Sequence, residues 1–303
     1  MFGDLPTLWR RTLKIIHSSD WHIRSTIPLI RKETFVQEQF EKVAELVSWS
    51  NQYQAPILCA GDMLDSNKIS FSVYNELQRI LLAAEFPPYV IRGNHDAYFH
   101  SDDVSGTPLM GLHDSGAVRV ISGMCELESG TVLHGCGFGD SPGTPVKGCI
   151  NILMMHTPVF CKKVPHFMKD GILAADLEAR FPGFDLYLAG DIHEPCSKGS
   201  VNVSGSMMRS TALQQDYKPR AYLIDLDSGA QEELYFTLHK DVFEEALVVE
   251  VEEGYSEELQ ELVKELKTED GRKVDFKKVS YKLGAKDASV IRILNEIFKT
   301  AED

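Results

Sequence analysis

Five short apolar runs do most to limit how this chain can fold: "LKIIH" (13–17), "PILCA" (56–60), "PYVIR" (88–92), "INILMMH" (150–156) and "DLYLA" (185–189). Each reads as a buried strand. Between them lie "ETFVQEQFEKVAELVSWS" (33–50) and "SFSVYNELQRILLAAE" (70–85), whose apolar residues recur at helical spacing. Strands that alternate with helices imply an α/β sheet covered by helices on both faces. Residues 117–138 differ, with short strands split by Gly and Ser as in antiparallel hairpins. "AYLIDLD" (221–227) and "EELYFTLH" (232–239) repeat that style.

The segment from about residue 240 has its own pattern. "EEALVVEVEE" and "VDFKKVSYKL" read as strands, and "SEELQELVKELKT" and "DASVIRILNEIFKTA" as amphipathic helices. The expected division is therefore residues 1–239 as the main domain and 240–303 as a small β-α-β-α cap. Length permits this, since 303 residues can bury one sizeable core plus a smaller one. No apolar run approaches the ~20 residues that cross a bilayer. "MFGDLPTLWRRTLK" lacks the apolar centre of a signal peptide, so a cytoplasmic location is expected. The six cysteines form no C-x-x-C pair and are expected as free thiols, not a disulfide framework. A net charge of −14 argues against indiscriminate nucleic-acid binding. It does not exclude a nuclease, because bound cations reverse the local sign of ligand carboxylates.

The chemistry-bearing residues sit at the strand exits. "HSSDWHI" supplies Asp20 and His22, and "AGDMLD" supplies Asp62. "RGNHDAY" supplies Asn94 and His95, "MMHTP" supplies His156, and "AGDIHEP" supplies Asp191 and His193. Sites in open α/β sheets form outside the carboxyl ends of strands. Singly each motif is weak: a Gly-Asp after a strand is commonly a turn, and a lone His is commonly a loop residue. Jointly, the five exits deliver the oxygen and nitrogen donors of a metal centre.

The order D-x-H, G-D, G-N-H-D, H, G-x-x-H resembles the calcineurin-like metallophosphoesterases over about residues 13–195. That resemblance implies a four-layer αββα sandwich, here with a small C-terminal α+β capping domain. It implies two divalent cations, Mn²⁺ or Mg²⁺, with Asp62 as the bridging carboxylate. Asp20, His22 and His193 would complete one shell, and Asn94, His156 and Asp191 the other. His95 would stay off the metals, face the substrate and act as the catalytic acid. The family usually has G-H-x-H where this chain has "GDIH" (190–193). Asp191 then marks either a degenerate site or a ligand substitution that favours harder ions, with direct and water-mediated contact both open.

The segment "GDMLDSNKISFSVYNELQRILLAAEFPPYVIRGNHD" and the downstream "VNVSGSMMRSTALQQDYKPRAYLIDLD" resemble SbcD-type DNA repair exonucleases. This implies DNA as substrate, an SbcC-type SMC-like ATPase as partner, and a homodimer. Arg24, Arg92, Lys162 and Arg209 are the candidate DNA contacts, with Lys163 and Lys218 nearby and a basic stretch at 271–286. The alternatives are a small-substrate phosphodiesterase, a protein phosphatase, or a catalytically dead DNA-binding scaffold.

Overall fold

The computed structural model describes residues 13–28, 31–97, 104–128, 130–165, 168–211, 214–240 and 242–243. The expected small cap and the basic stretch at 271–286 lie outside them. Every described helix and strand belongs to one compact unit, within residues 13–27, 31–209 and 216–243.

Two six-stranded mixed sheets form its centre. The first contains β1 (Lys14–Ser18), β2 (Ile57–Cys59), β3 (Tyr89–Val90), β4 (Arg119–Val120), β13 (Arg220–Asp225) and β14 (Gln231–Tyr235). Its order is β14-β13-β1-β2-β3-β4, parallel from β1 to β4 and antiparallel at β13 and β14. The second contains β5 (Gly123–Glu128), β6 (Thr131–Cys136), β7 (Ile150–His156), β10 (Leu186–Gly190), β11 (Cys196–Lys198) and β12 (Val201–Val203). Its order is β11-β12-β10-β7-β6-β5, parallel through β6, β7, β10 and β12. A further parallel pair joins β8 (Val159–Phe160) to β9 (Ile172–Leu173).

Three apolar layers hold the sheets and helices together. Ile15, Leu58 and Ile91 of the first sheet pack against Leu133, Ile152 and Leu188 of the second. On the outer face of the first sheet, Ile16, Ile57 and Val90 meet α1 (Phe35–Tyr53), α2 (Phe71–Leu81) and α3 (Pro108–Asp114). On the outer face of the second, Leu153, Tyr187 and Val203 meet Leu177 of α4 (Ala174–Arg180). Successive residues of one strand serve opposite layers: Ile57 and Cys59 face the helices, Leu58 the other sheet. Helix, sheet, sheet and helix are thus the expected four layers. Each fully buried Leu or Ile contributes about 1.5–3 kcal/mol.

Helix α2 starts where Ser70, in extended conformation, accepts a hydrogen bond from Val73 N through its side chain. Such a cap is worth about 1 kcal/mol. Among the described residues no helix is long and apolar enough to cross a membrane.

The cysteine expectation needs correction. Cys161 and Cys196 form a disulfide, while Cys59, Cys125, Cys136 and Cys149 are free. The pair is 35 residues apart in sequence, but the end of β8 and the start of β11 bring the Cα atoms to 6.1 Å. That spacing lies within the usual disulfide range.

Candidate metal centre

The loops after β1 and β2 stay zipped beyond the strands. Asp20 N donates to Gly61 O, His22 N to Asp62 O and Ile23 N to Met63 O, at 3.0–3.1 Å. Holding side chains inward along this extension costs backbone strain. Five described non-glycine residues have positive φ, and four are candidate ligands: Asp20 (50°), His22 (47°), Asp62 (50°) and Asp191 (81°). Strain of this kind costs of order 1–3 kcal/mol per residue and concentrates at functional sites. The third loop closes tightly on the second: a Cβ on Gly93 would collide with Asp62 Oδ1 and N, so only glycine fits there. The second sheet is tied in where Ala60 O accepts from His156 Nδ1 at 2.7 Å.

All seven expected ligands converge. His22 Nε2 lies 3.0 Å from His193 Nε2, 3.7 Å from Asp62 Oδ2 and 4.0 Å from Asp20 Oδ1. His156 Nε2 lies 3.0 Å from Asn94 Oδ1, 3.4 Å from Asp62 Oδ2 and 3.7 Å from Asp191 Oδ1. Donors held at ~2.0–2.2 Å from one ion stand roughly 3 Å apart when adjacent and roughly 4 Å apart when opposite. Every distance above falls in that window. The same Asp62 oxygen belongs to both groups, one of the ways in which a carboxylate bridges two ions.

The donor chemistry fits as well. Since His156 Nδ1 donates to a carbonyl, its Nε2 is the nitrogen left for a cation. His22 and His193 point nitrogen at nitrogen, which suits two lone pairs on one ion better than a single shared proton. Behind His22, its buried Nδ1 finds no hydrogen-bond partner at normal distance and faces Asp65 Oδ1 at 3.6 Å. The residues therefore fit two divalent cations, and the described His, Cys, Asp and Glu side chains form three overlapping groups of ligand spacing here.

Without cations, protons and carboxylates balance the site. Burial opposes charge on His156, but the adjacent Asp62, with Asp20 and Asp191, outweighs it and raises the pKa to about 10. Burial likewise opposes charge on His22, and Asp65, Asp62 and Asp20 raise it to about 9. Burial would raise Asp62, yet His156, His22 and His95 hold it well below the usual carboxylate range. Asp191 is pushed up to about 6, first by burial, against the pull of His156 and with Asp20 and Asp62 adding to the rise.

His95 sits beside Asp62, its backbone N donating to Asp62 Oδ1 at 2.9 Å and its Nε2 3.9 Å from Oδ2. Its Nδ1 donates to Asp65 O at 2.7 Å, which directs Nε2 toward the centre. Asp65 had no role in the sequence reading, although its G-D-x-x-D spacing was visible. It pairs with Arg24 Nε at 3.5 Å, faces His22 and orients His95. Asp96 was also missed: fully buried, it accepts from Leu64 N and Gly93 N at 2.9 Å and fastens the second loop to the third.

The DNA-contact candidates separate. Arg24 stands at the rim with Asp65, and Lys162 is exposed on the loop after β8. Arg92 and Arg209, expected at a DNA surface, are buried instead. Arg92 donates to Phe138 O and pairs with Asp140 at 3.1 Å. Arg209 donates to His239 O and lies over the Phe243 ring. Carbonyl groups of the fold take up these guanidinium donors.

Residues 13–195 match the sequence profile of the calcineurin-like phosphoesterases. The chain belongs to this family. Its reaction class is metal-dependent phosphoester hydrolysis. Similar solved structures include TT1561 of Thermus thermophilus, at 15% identity and TM-score 0.49, over 74% of this chain and 99% of that one. An archaeal phosphodiesterase aligns at 12% identity and TM-score 0.42, over 74% of this chain and 100% of that one. The 5'-nucleotidase precursor of Thermus thermophilus aligns at 14% identity and TM-score 0.44, over 75% of this chain and 54% of that one. No curated protein matches the chain.

Proposed function

We propose that this phosphoesterase is a two-metal phosphodiesterase that cleaves DNA at ends, an SbcD-type exo/endonuclease of repair or recombination. The observation that carries the reading is the run from Asp62 to His95. The G-D-x-x-D-S turn enters α2 through its Ser70 cap, and α2 leads through β3 straight into Asn94 and His95. That is the arrangement of the resembling nucleases.

Bound between these side chains, two divalent cations would lower the pKa of a nucleophilic water and neutralise charge on the phosphoryl oxygens. Asp20, His22 and His193 would hold one and Asn94, His156 and Asp191 the other, with Asp62 shared. Asp191 offers an oxygen where the family usually has a histidine, so the second position favours a hard ion such as Mn²⁺ or Mg²⁺. Asp62 fixes the His95 backbone, and Asp65 O fixes the His95 ring. With Nδ1–H held by Asp65 O, His95 would act as an imidazolium, giving its Nε2 proton to the departing 3'- or 5'-oxygen and remaining as the neutral ring. His193 is exposed, so a strand would approach from that side. Arg24 and Lys162 would touch its phosphates, which positions DNA without reading its sequence.

A cytoplasmic homodimer working with an SbcC-type SMC-like ATPase completes the proposal. The test is release of nucleotides from end-labelled linear duplex DNA with Mn²⁺, with Mg²⁺ and without metal, beside turnover of p-nitrophenyl phosphate esters. Metal-dependent shortening of DNA that outpaces ester turnover supports a nuclease. Ester turnover with intact DNA would overturn it.

A further inference from the structure

The turn after β12, Ser204 to Met207, lies beyond the span matched by the family profile. It is buried throughout, and it grips two of the ligand loops at once. Met207 N donates to Asp20 O at 3.1 Å, and Ser206 N donates to His193 O at 3.1 Å. Asp20 follows β1 of the first sheet and His193 follows β10 of the second. One short turn therefore spans the gap between the sheets at the place where two ligands of one shell must meet.

Its side chains reach further. Ser19 Oγ donates to Asp20 Oδ2 at 2.5 Å, and Ser204 Oγ lies 2.8 Å from Ser19 Oγ. A hydroxyl has one proton to give. Ser19 gives its proton to the carboxylate, so Ser204 is the donor across the 2.8 Å contact, which it takes in place of the longer 3.4 Å contact with Gly205 O. The relay runs from Ser204 to Ser19 to Asp20 Oδ2 and leaves Oδ1 turned toward His22 Nε2. The backbone N of Asp191 also donates to both Asp20 oxygens, at 3.1 and 3.2 Å.

The turn is itself held. Tyr217 OH donates to Ser206 O at 2.7 Å, and the buried Lys42 of α1 donates to Met207 O at 3.0 Å. Gly205 has a φ of 74°, and a Cβ there would stand 2.8 Å from His193 O and 2.7 Å from Tyr217 OH. The backbone approaches His193 as closely as a glycine allows.

We propose that the Ser204–Met207 turn is a bracket that sets Asp20 and His193 at the spacing one cation requires, with Ser204 as a positioning residue for the Asp20 carboxylate through Ser19. This rests on the reading that Asp20, His22 and His193 hold an ion. Residues behind metal ligands typically change metal affinity or activity by about 10–100-fold when removed. The bracket acts mainly on one shell: its own contacts go to Asp20 and His193, and the other shell meets it only through the Asp191 N–H on the Asp20 carboxylate.

The test is Mn²⁺ binding by calorimetry to the full chain, for wild type, Ser204→Ala, Ser19→Ala and the double variant. Melting of the ion-free proteins by circular dichroism shows which variants fold. Wild type takes up two ions. Ser204→Ala and Ser19→Ala each weaken one of them by roughly 10–100-fold and affect the other far less. The double variant loses no more than the worse single one, because both act on one relay. DNA cleavage falls in kcat with KM preserved. Folded Ser204→Ala and Ser19→Ala proteins with wild-type isotherms would overturn the bracket alone. Equal weakening of both ions would reduce the turn to general support and overturn the assignment of Ser204. A wild type that takes up no Mn²⁺ would overturn the metal-site reading, and the bracket with it.

Discussion

Replacing Asp62 by Asn changes one atom in the middle of the site and should disable both halves. Asp62 is 2% exposed, and its Oδ2 stands 3.4 Å from His156 Nε2 and 3.7 Å from His22 Nε2. Unit charges at that spacing interact by about 4–5 kcal/mol at an effective dielectric constant of ~20. The neutral amide forfeits this for each imidazolium. In the ion-free protein, burial is outweighed by the surrounding carboxylates, which raise His156 to about 10 and His22 to about 9. Both should fall by roughly three pH units in Asp62→Asn. Each ion position also loses its shared anionic ligand, so the variant should retain at most one ion where wild type retains two. Plasma emission on gel-filtered protein reads the metal, and NMR titration of ion-free protein reads the imidazoles. His22→Ala, which strips a donor from one position only, is the comparison. Two ions per chain in Asp62→Asn, or histidine titrations that do not move, would refute the bridging argument.

Asp191→Ala should weaken one of the two ions and cut cleavage, while Asp191→His should retain part of the activity and shift the preferred metal. Metal titrations and rates indifferent to Asp191→Ala would make it a spectator. His95→Ala should keep both ions and DNA affinity but lose about 10²–10⁴ in single-turnover cleavage, and loss of metal with activity would make it a ligand instead. Because His22 and His156 are protonated at about pH 7.5 in the ion-free site, metal uptake should release protons, and affinity should weaken as pH falls. Calorimetry in two buffers of different protonation enthalpy measures that release, and its absence would contradict the charge balance described here. In the ion-free protein the same imidazolium–carboxylate contacts stabilise the fold fully below pH ~6.5. Their contribution is lost as pH rises through about 9 and about 10.

Much of the site was readable in the sequence because each strand and its donor are contiguous. "INILMMH" coincides with β7 residue for residue and ends in His156. "SFSVYNELQ" carries both the Ser70 cap and the start of α2. What escaped depends on contacts between distant segments. Ser204 and Met207 stand in an irregular turn, and only the packing of β12 beside β10 carries them to Asp20 and His193. Cys161 and Cys196 likewise meet only because the fold brings the end of β8 beside the start of β11. Helix α4 has only seven residues, two of them buried, too few for a periodic signal. Arg92 and Arg209 misled because a cation next to a site motif looks the same in sequence whether its guanidinium meets solvent or a carbonyl of the fold.

The most direct test of the central claim is anomalous scattering at the manganese edge from crystals grown with Mn²⁺. Two peaks are predicted, roughly 3.5–4 Å apart. One should lie among Asp20, His22 and His193, the other among Asn94, His156 and Asp191, and both should touch Asp62. A single peak, or none at saturating Mn²⁺, would contradict the two-metal centre on which the account is built.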